Sequence, residues 1–425
     1  MKKENQVLIA ALVFGLSAVC PPLQAQPSAK LQTARLLSEA REPVRIVCFG
    51  DSITGVYYHS GNRRAWPEML NVALSRLYPK AELTVINAGR SGHTTAQGLE
   101  RMQKDVLAHA PHLVVVMFGM NDLAYGAGAP EKNAARDAAF VGRLKAIAGN
   151  CRAAKAEVIL CTQNPVYPEA LPRRPPERVG EYAGLIRQTG AELKVPVVDI
   201  YAEWNALRAS DPHAWRLLMS ETIHPSMAGH KRMAERVAGM ISGRTVSLAD
   251  VYAEQPVCAR LIRRLKGGNP VTLVAPAPLA ACARVMVLRR FPSANVTVVS
   301  LPEKIASLDV FDEKFKGIRD RNPDLVLVSL TPAVLTVGNE EAFVRQVSWM
   351  VNGALPFAGS AWTAVGVDPA LADPDLTRPQ REGAELLREI VRGHDLDWIG
   401  QSSGPPTALQ DAFNQWFDRQ AEAGR

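Results

Sequence analysis

Beyond its N-terminus the chain has no stretch approaching the roughly 18 consecutive apolar residues that a membrane-spanning helix needs, which argues against a polytopic membrane protein. Cysteine is sparse, 6 in 425 residues, and lacks the dense regular spacing of a disulfide scaffold. Nor is positive charge gathered anywhere, although the formal net charge is +7. The densest basic clusters, Arg63-Arg64, Arg173-Arg174, Arg263-Arg264 and Arg289-Arg290, are isolated pairs without aromatic interleaving. They read as solvated surface, and no nucleic-acid partner is expected. A long apolar lid is missing as well: 123–132 is rich in Gly and Ala, and 164–178 in Pro and charge. Neither segment offers the apolar cover expected over a lipid-binding site.

What remains is a folded chain. Hydrophobic residues make up 47% and charged residues 21%, near the globular average, and a chain of 425 residues exceeds what one core usually organises. Lys2 and Lys3 precede an apolar run from Val7 to Val19 and then Leu23-Gln24-Ala25, the pattern of a signal peptide over residues 1–25. Export to the periplasm or the exterior is expected, with no transmembrane span after cleavage. Cys20 raises lipoprotein processing, for which the preceding Val19 fits poorly. The other cysteines, Cys48, Cys151, Cys161, Cys258 and Cys282, read as core thiols, with a Cys258 to Cys282 bridge left open.

From Pro43 onward, short β-branched runs alternate with helix-length amphipathic stretches, the pattern of a parallel sheet flanked by helices. Strands are expected at Val44 to Phe49, Leu83 to Asn87, Leu113 to Phe118, Val158 to Thr162 and Val197 to Ile200. Helices are expected around Trp66 to Tyr78, Ala96 to Ala108, Asn133 to Cys151, Glu177 to Leu193 and Met227 to Ser242. Together they predict a three-layer α/β/α sandwich over residues 40–246.

After Ser247 the alternation restarts, with strands expected near Val271 to Ala275, Asn295 to Val299, Leu325 to Leu330, Thr363 to Val367 and Leu396 to Ile399. Three segments echo the first half: the run from Val44 matches that from Val271, Tyr78-Pro79 to Ile86 matches Phe291-Pro292 to Val299, and Pro111 to Val116 matches Pro323 to Val328. A second α/β domain of related fold is therefore expected over 249–425.

Ligands of an open parallel sheet bind where loops leave the carboxyl ends of the strands. There the first strand delivers Gly50-Asp51-Ser52, the second Gly89-Arg90-Ser91-Gly92-His93-Thr94 and the third Gly119-Met120-Asn121-Asp122; Glu221-Thr222-Ile223-His224-Pro225 precedes the last helix. Singly these are a turn, turn glycines, a helix cap and a loop. Jointly they supply a serine esterase: Ser52 as nucleophile, His224 as its base, Glu221 to hold the imidazole, and the backbone N–H groups of Ser52 and Gly92 with the Asn121 amide as the oxyanion hole.

These four ordered blocks resemble those of the SGNH (GDSL-like) hydrolase superfamily, with Ser52, Gly92, Asn121 and His224 as the matching residues, over roughly Pro43 to Ser242. The resemblance implies a flavodoxin-like fold, no metal or cofactor, and hydrolysis of carboxylic esters through an acyl-enzyme. Most relatives have Asp where this chain has Glu221. Trp66-Pro67 also fits the family, with a packed helix start as the plainer role. Tyr57, Tyr58, His59 and His93 either line an acyl or sugar pocket or are ordinary rim residues. Expected partners are small-molecule or glycan esters, with a carbohydrate O-acetyl group as one candidate. Two alternatives share these residues: a non-catalytic glycan-binding protein and an acyltransferase.

The second half is expected to be catalytically silent. The matched strands put Leu279 opposite Ser52, Ile305 opposite Gly92 and Ala333 opposite Asn121. His394, the only histidine there, precedes a strand, on the wrong side for a base.

Overall fold

The computed structural model describes residues 31–123, 130–168, 173–301, 308, 317–359, 361–400 and 408–423. The segment read as a signal peptide, Cys20 and Ile305 lie outside them, as do parts of 123–132 and 164–178.

The first half holds five parallel strands: β1 (Val44–Gly50), β2 (Leu83–Gly89), β3 (Leu113–Met117), β4 (Glu157–Cys161) and β5 (Val197–Val198). Their order is β2-β1-β3-β4-β5. The central strands are fully covered because helices lie on both faces: Ile46, Val47 and Cys48 of β1 and Leu113, Val114 and Val115 of β3 show no solvent exposure. Helices run over Trp66–Leu77, Thr95–Asp105, Pro130–Ala153, Pro176–Leu193 and Met227–Ser242, as expected from their amphipathic period. Three further helices, Gln32–Glu39, Ile200–Ser210 and Pro212–Leu217, fall in segments where the alternation gave no helix. The last two are set by Asp199 and Asp211, whose carboxylates accept from Ala202 N and Ala214 N at the helix starts.

The second half repeats this plan. Strands β6 (Val271–Pro276), β7 (Val296–Leu301), β8 (Leu325–Val328), β9 (Thr363–Val367) and β10 (Asp397–Ile399) are again all parallel. Their order, β10-β9-β8-β6-β7, is the first sheet's order read from the other edge. Even the register is shared. Val44 pairs with Leu83 and Ile46 with Leu113; at the matched positions Val271 pairs with Val296 and Leu273 with Leu325.

The two halves are docked by polar contacts that composition concealed. Arg64, expected as solvated surface, is buried: its guanidinium donates to both carboxylate oxygens of Asp395, at 2.6 and 3.0 Å, and to the carbonyl of Tyr252. Arg63 donates to Thr363 Oγ1 at 2.9 Å. Glu340 binds Arg216 at 2.6 Å and His213 at 3.0 Å. Cys258 and Cys282 are free thiols, as are Cys48, Cys151 and Cys161. No helix among the described residues is long and apolar enough to cross a membrane.

Candidate active site

The site is built where β1, β2 and β3 end. After β1 the chain turns sharply: the carbonyl of Asp51 accepts from Thr54 N and Gly55 N, and its carboxylate accepts from Ile53 N at 2.9 Å. Glycine is required at Gly50, where a Cβ would lie 2.5 Å from the carbonyl oxygen of Met117 on the adjacent strand. Arg101 ties the strand ends together, donating to the carbonyls of Gly50 and Ala88 at 2.8 Å each. Asp51 is buried, and burial pushes its carboxyl up to about 7 against the opposing N–H of Ile53 and the charges of His224 and Arg174.

Ser52 sits in this turn buried, with 8% exposure, instead of on an open tip. Its Oγ lies 2.8 Å from Nε2 of His224. The other ring nitrogen of His224 makes a short contact with Glu221 Oε1. Glu221 is well provided with donors: Oε1 also accepts from His224 N at 2.8 Å, while Oε2 accepts from Ile223 N at 3.1 Å and Thr222 Oγ1 at 3.0 Å. Burial works to raise its pKa, but the adjacent His224 and these hydrogen bonds outweigh it and hold the carboxyl below its usual range. The longer Glu side chain thus reaches the imidazole from the position where Asp is usual.

The Glu221–His224 loop is closed on itself by Ser220 N donating to the carbonyl of His224 at 2.9 Å. Ser226 then caps the helix Met227–Ser242 through its hydroxyl. Behind the imidazole lies His59, which is buried and stacked on His224 with ring centres 4.4 Å apart and planes within 9°. Burial, then the neighbouring His224, His230 and His394, keep His59 well below the usual histidine range, so it backs His224 as a neutral ring. It is not a pocket-lining residue.

The two remaining loops supply the candidate oxyanion donors. Gly92 has φ +77, a left-handed conformation that glycine adopts freely and that orients the backbone of this turn. Asn121 is clamped at both ends of its amide: Nδ2 donates to the carbonyl of His93 at 3.1 Å, and Oδ1 accepts from Arg174 Nη2 at 2.8 Å. Arg174 also donates to the carbonyl of Met120 at 3.1 Å. Its expected role as a solvated surface charge is overturned; it fixes which end of the Asn121 amide is the donor. Asp122 caps the helix Thr95–Asp105 by accepting from Thr95 N at 3.0 Å, which holds the third loop against the second.

Tyr57 and Tyr58 stand at the rim. The hydroxyl of Tyr57 accepts from Ser91 N at 2.8 Å, and both rings lie against Phe357 of the second half, at 5.9 and 5.6 Å. His93 is partly buried beside Asn121, and burial, then Arg101 and Arg90, lower its pKa. Trp66 is fully buried at a helix start and donates through its backbone N–H to His230 Nδ1 at 3.2 Å. In the second sheet the matched positions carry no such chemistry. Leu279 is buried in a helix, Ala333 lies in a short 3₁₀ turn, and His394 is buried with Nδ1 bonded to the carbonyl of Ile390. Among the described residues no group of three or more His, Cys, Asp or Glu side chains is placed to hold a metal ion.

Such an array can pass a proton from a hydroxyl to an imidazole while fixed N–H groups face a developing negative charge. The model of the GDSL-like lipase/acylhydrolase family matches residues 48–232, which include all four blocks. The acetylxylan esterase of Geobacillus stearothermophilus is 30% identical over 166 residues, 38% of this chain and 73% of that protein. Thioesterase 1/protease 1/lysophospholipase L1 of Escherichia coli (strain K12) is 26% identical over 194 residues, 45% of this chain and 81% of that protein. A crystal structure of a lipase/acylhydrolase from Enterococcus faecalis is similar over 48% of this chain and 97% of its own, at 29% identity and a TM-score of 0.40. The chain therefore belongs to the GDSL-like lipase/acylhydrolase family and is a carboxylic ester hydrolase.

Proposed function

We propose that this protein is an exported serine esterase that removes short acyl groups, acetyl above all, from a carbohydrate or other polar alcohol. The observation that carries the reading is the 2.8 Å contact between Ser52 Oγ and His224 Nε2, with Glu221 on the opposite ring nitrogen. In this reading Ser52 Oγ attacks the ester carbonyl as its proton passes to Nε2. Glu221 holds the proton on Nδ1 and balances the imidazolium that forms. The N–H groups of Ser52 and Gly92 and the Nδ2 of Asn121 receive the oxyanion. His224 then returns the proton to the leaving alkoxide, and a water, deprotonated by the same imidazole, releases the acid from Ser52.

The acetyl and carbohydrate assignment is supported by the acetylxylan esterase relative and by the lack of a long apolar run in 123–132 and 164–178. Export rests on the pattern of residues 1–25, and the reading takes 40–246 as the catalytic domain and 249–425 as a silent SGNH-like repeat. The test is turnover of a chain-length series of chromogenic esters beside acetylated xylo-oligosaccharides, with a fluorophosphonate to label the nucleophile. Ser52→Ala is expected to abolish turnover and labelling while the protein stays folded by circular dichroism. Turnover at the wild-type rate in that variant overturns the mechanism.

A further inference from the structure

The silent half touches the site. Its residues 352–357 leave the end of the helix Glu340–Gly353 and run along the first half between two loops. On one side Asn352, 1% exposed, exchanges two hydrogen bonds with fully buried Ser220: Ser220 Oγ donates to Oδ1 at 3.0 Å, and Nδ2 donates to the carbonyl of Ser220 at 3.1 Å. Ser220 immediately precedes Glu221, and its N–H closes the loop on the carbonyl of His224. On the other side the carbonyl of Phe357 accepts from Tyr58 N at 3.3 Å, and that of Pro356 accepts from Asn62 Nδ2. These residues flank His59, whose ring supports the face of His224. The segment is itself fixed from within the second half. Arg319 donates to the carbonyls of Asn352 and Leu355 at 2.8 Å each and lies over the ring of Tyr58, and Trp362 Nε1 donates to the carbonyl of Ala354.

We propose that Asn352 is a positioning residue for catalysis, clasping Ser220 so that the Glu221–His224 loop holds the imidazole against Ser52. The inference rests on the serine-esterase reading above. Both loops that touch the imidazole are anchored to one strap of the second half, so a triad whose sequence lies wholly in the first half has its geometry set from outside it. A buried side chain with a donor and an acceptor matched to one residue fixes orientation as well as proximity. Catalytic geometry is sensitive at this scale, since a displacement of about 1 Å can cost on the order of 10²-fold.

The experiment uses the full chain and compares Asn352→Ala, Ser220→Ala, the double variant, Ser52→Ala and Glu340→Ala, the last removing interdomain ion pairs away from the site. For each, kcat and KM on a chromogenic acetate, the rate of fluorophosphonate labelling and the Tm are measured, with activity assayed well below the lowest Tm. Asn352→Ala is expected to lower kcat and the labelling rate by about 10- to 100-fold at nearly constant KM. Ser220→Ala should act in the same direction, and the double variant should be no worse than Asn352→Ala. Glu340→Ala should keep its kcat. Full kcat in both Asn352→Ala and Ser220→Ala, with Ser52→Ala inactive, overturns the clasp and leaves the esterase reading standing. An equal loss in Glu340→Ala also overturns it, because general docking would then account for the effect. If Asn352→Ala does not fold, Ser220→Ala decides. Activity in Ser52→Ala would instead remove the reading on which the inference stands.

Discussion

Replacing Glu221 by glutamine changes one atom type and tests the triad directly. The carboxylate accepts four hydrogen bonds, from His224 Nδ1 and N on one oxygen and from Ile223 N and Thr222 Oγ1 on the other. Glutamine can present its carbonyl to only one side. With the carbonyl toward His224, its NH₂ faces the N–H of Ile223, while the Thr222 hydroxyl can turn and accept. With the amide flipped, Ile223 is satisfied, but the NH₂ faces the N–H of His224 and meets Nδ1. The ring proton must then move to Nε2, which can no longer take the proton of Ser52. Each orientation sets the side-chain NH₂ against one backbone N–H, at about 1–3 kcal/mol of stability, and each loses the negative charge that balances the imidazolium. An amide at the orienting position of a serine triad costs up to about 10⁴-fold, so kcat is expected to fall roughly 10²- to 10⁴-fold with KM little changed. Steady-state kinetics on a chromogenic acetate measure it, with mass spectrometry verifying that the amide has not reverted. Glu221→Asp should fall less, because it keeps the charge and shortens the reach. A Glu221→Gln enzyme within threefold of wild type would mean that another group orients the ring.

Asn121→Ala should lower kcat by about 10²- to 10³-fold as an oxyanion donor is lost. Arg174→Ala, which frees Oδ1 of Asn121, should lower kcat by about tenfold with KM unchanged; an effect confined to KM in either variant would assign the residue to substrate binding. Arg64→Ala leaves Asp395 buried without its strongest partner and should cost about 3–5 kcal/mol in denaturant unfolding; a change under 1 kcal/mol would refute the buried pairing. Asp51 has a folded pKa of about 7, above its unfolded value of roughly 3.9, so the native state binds the proton more tightly and stability falls as pH rises through this window. Asp51→Asn keeps an acceptor for Ile53 N and removes the titration. The Tm of wild type minus that of the variant should therefore decrease from pH 4 to 8, and a constant difference would place the Asp51 pKa elsewhere.

The strands and the order of the chemical blocks were legible because both are local. β-branched runs mark Val44–Gly50 and Leu113–Met117, and the residues that follow each strand necessarily collect at one rim. The echo between halves was legible too, and the pairs Val44 with Leu83 and Val271 with Val296 show that it extends to the strand register. What the sequence hid is long-range. Arg64 looked like half of a surface pair because its partner lies 331 residues away. Arg174 shows no local sign of its reach to Asn121, 53 residues before it. From sequence His59 reads, with Tyr57, Tyr58 and His93, as either a pocket-lining or a rim residue, whereas the short 3₁₀ turn Tyr58–Ser60 rotates it inward beneath His224. Periodicity reports which face of an element is covered, not which distant side chain covers it. Helices Ile200–Ser210 and Pro212–Leu217 were missed for a different reason: their capping aspartates were visible, but no strand followed to give the expected alternation.

The clasp between Ser220 and Asn352 spans 132 residues, and that between Asn62 and Pro356 spans 294. Contacts so far apart form late, since a large loop must close before they are made. A ribosome adding about 5–20 residues per second passes Ser220 roughly 7–26 s before it reaches Asn352. The first half can therefore gather its own core while the two loops around His224 still lack their brace. Turnover is therefore expected to lag behind the appearance of native secondary structure in refolding.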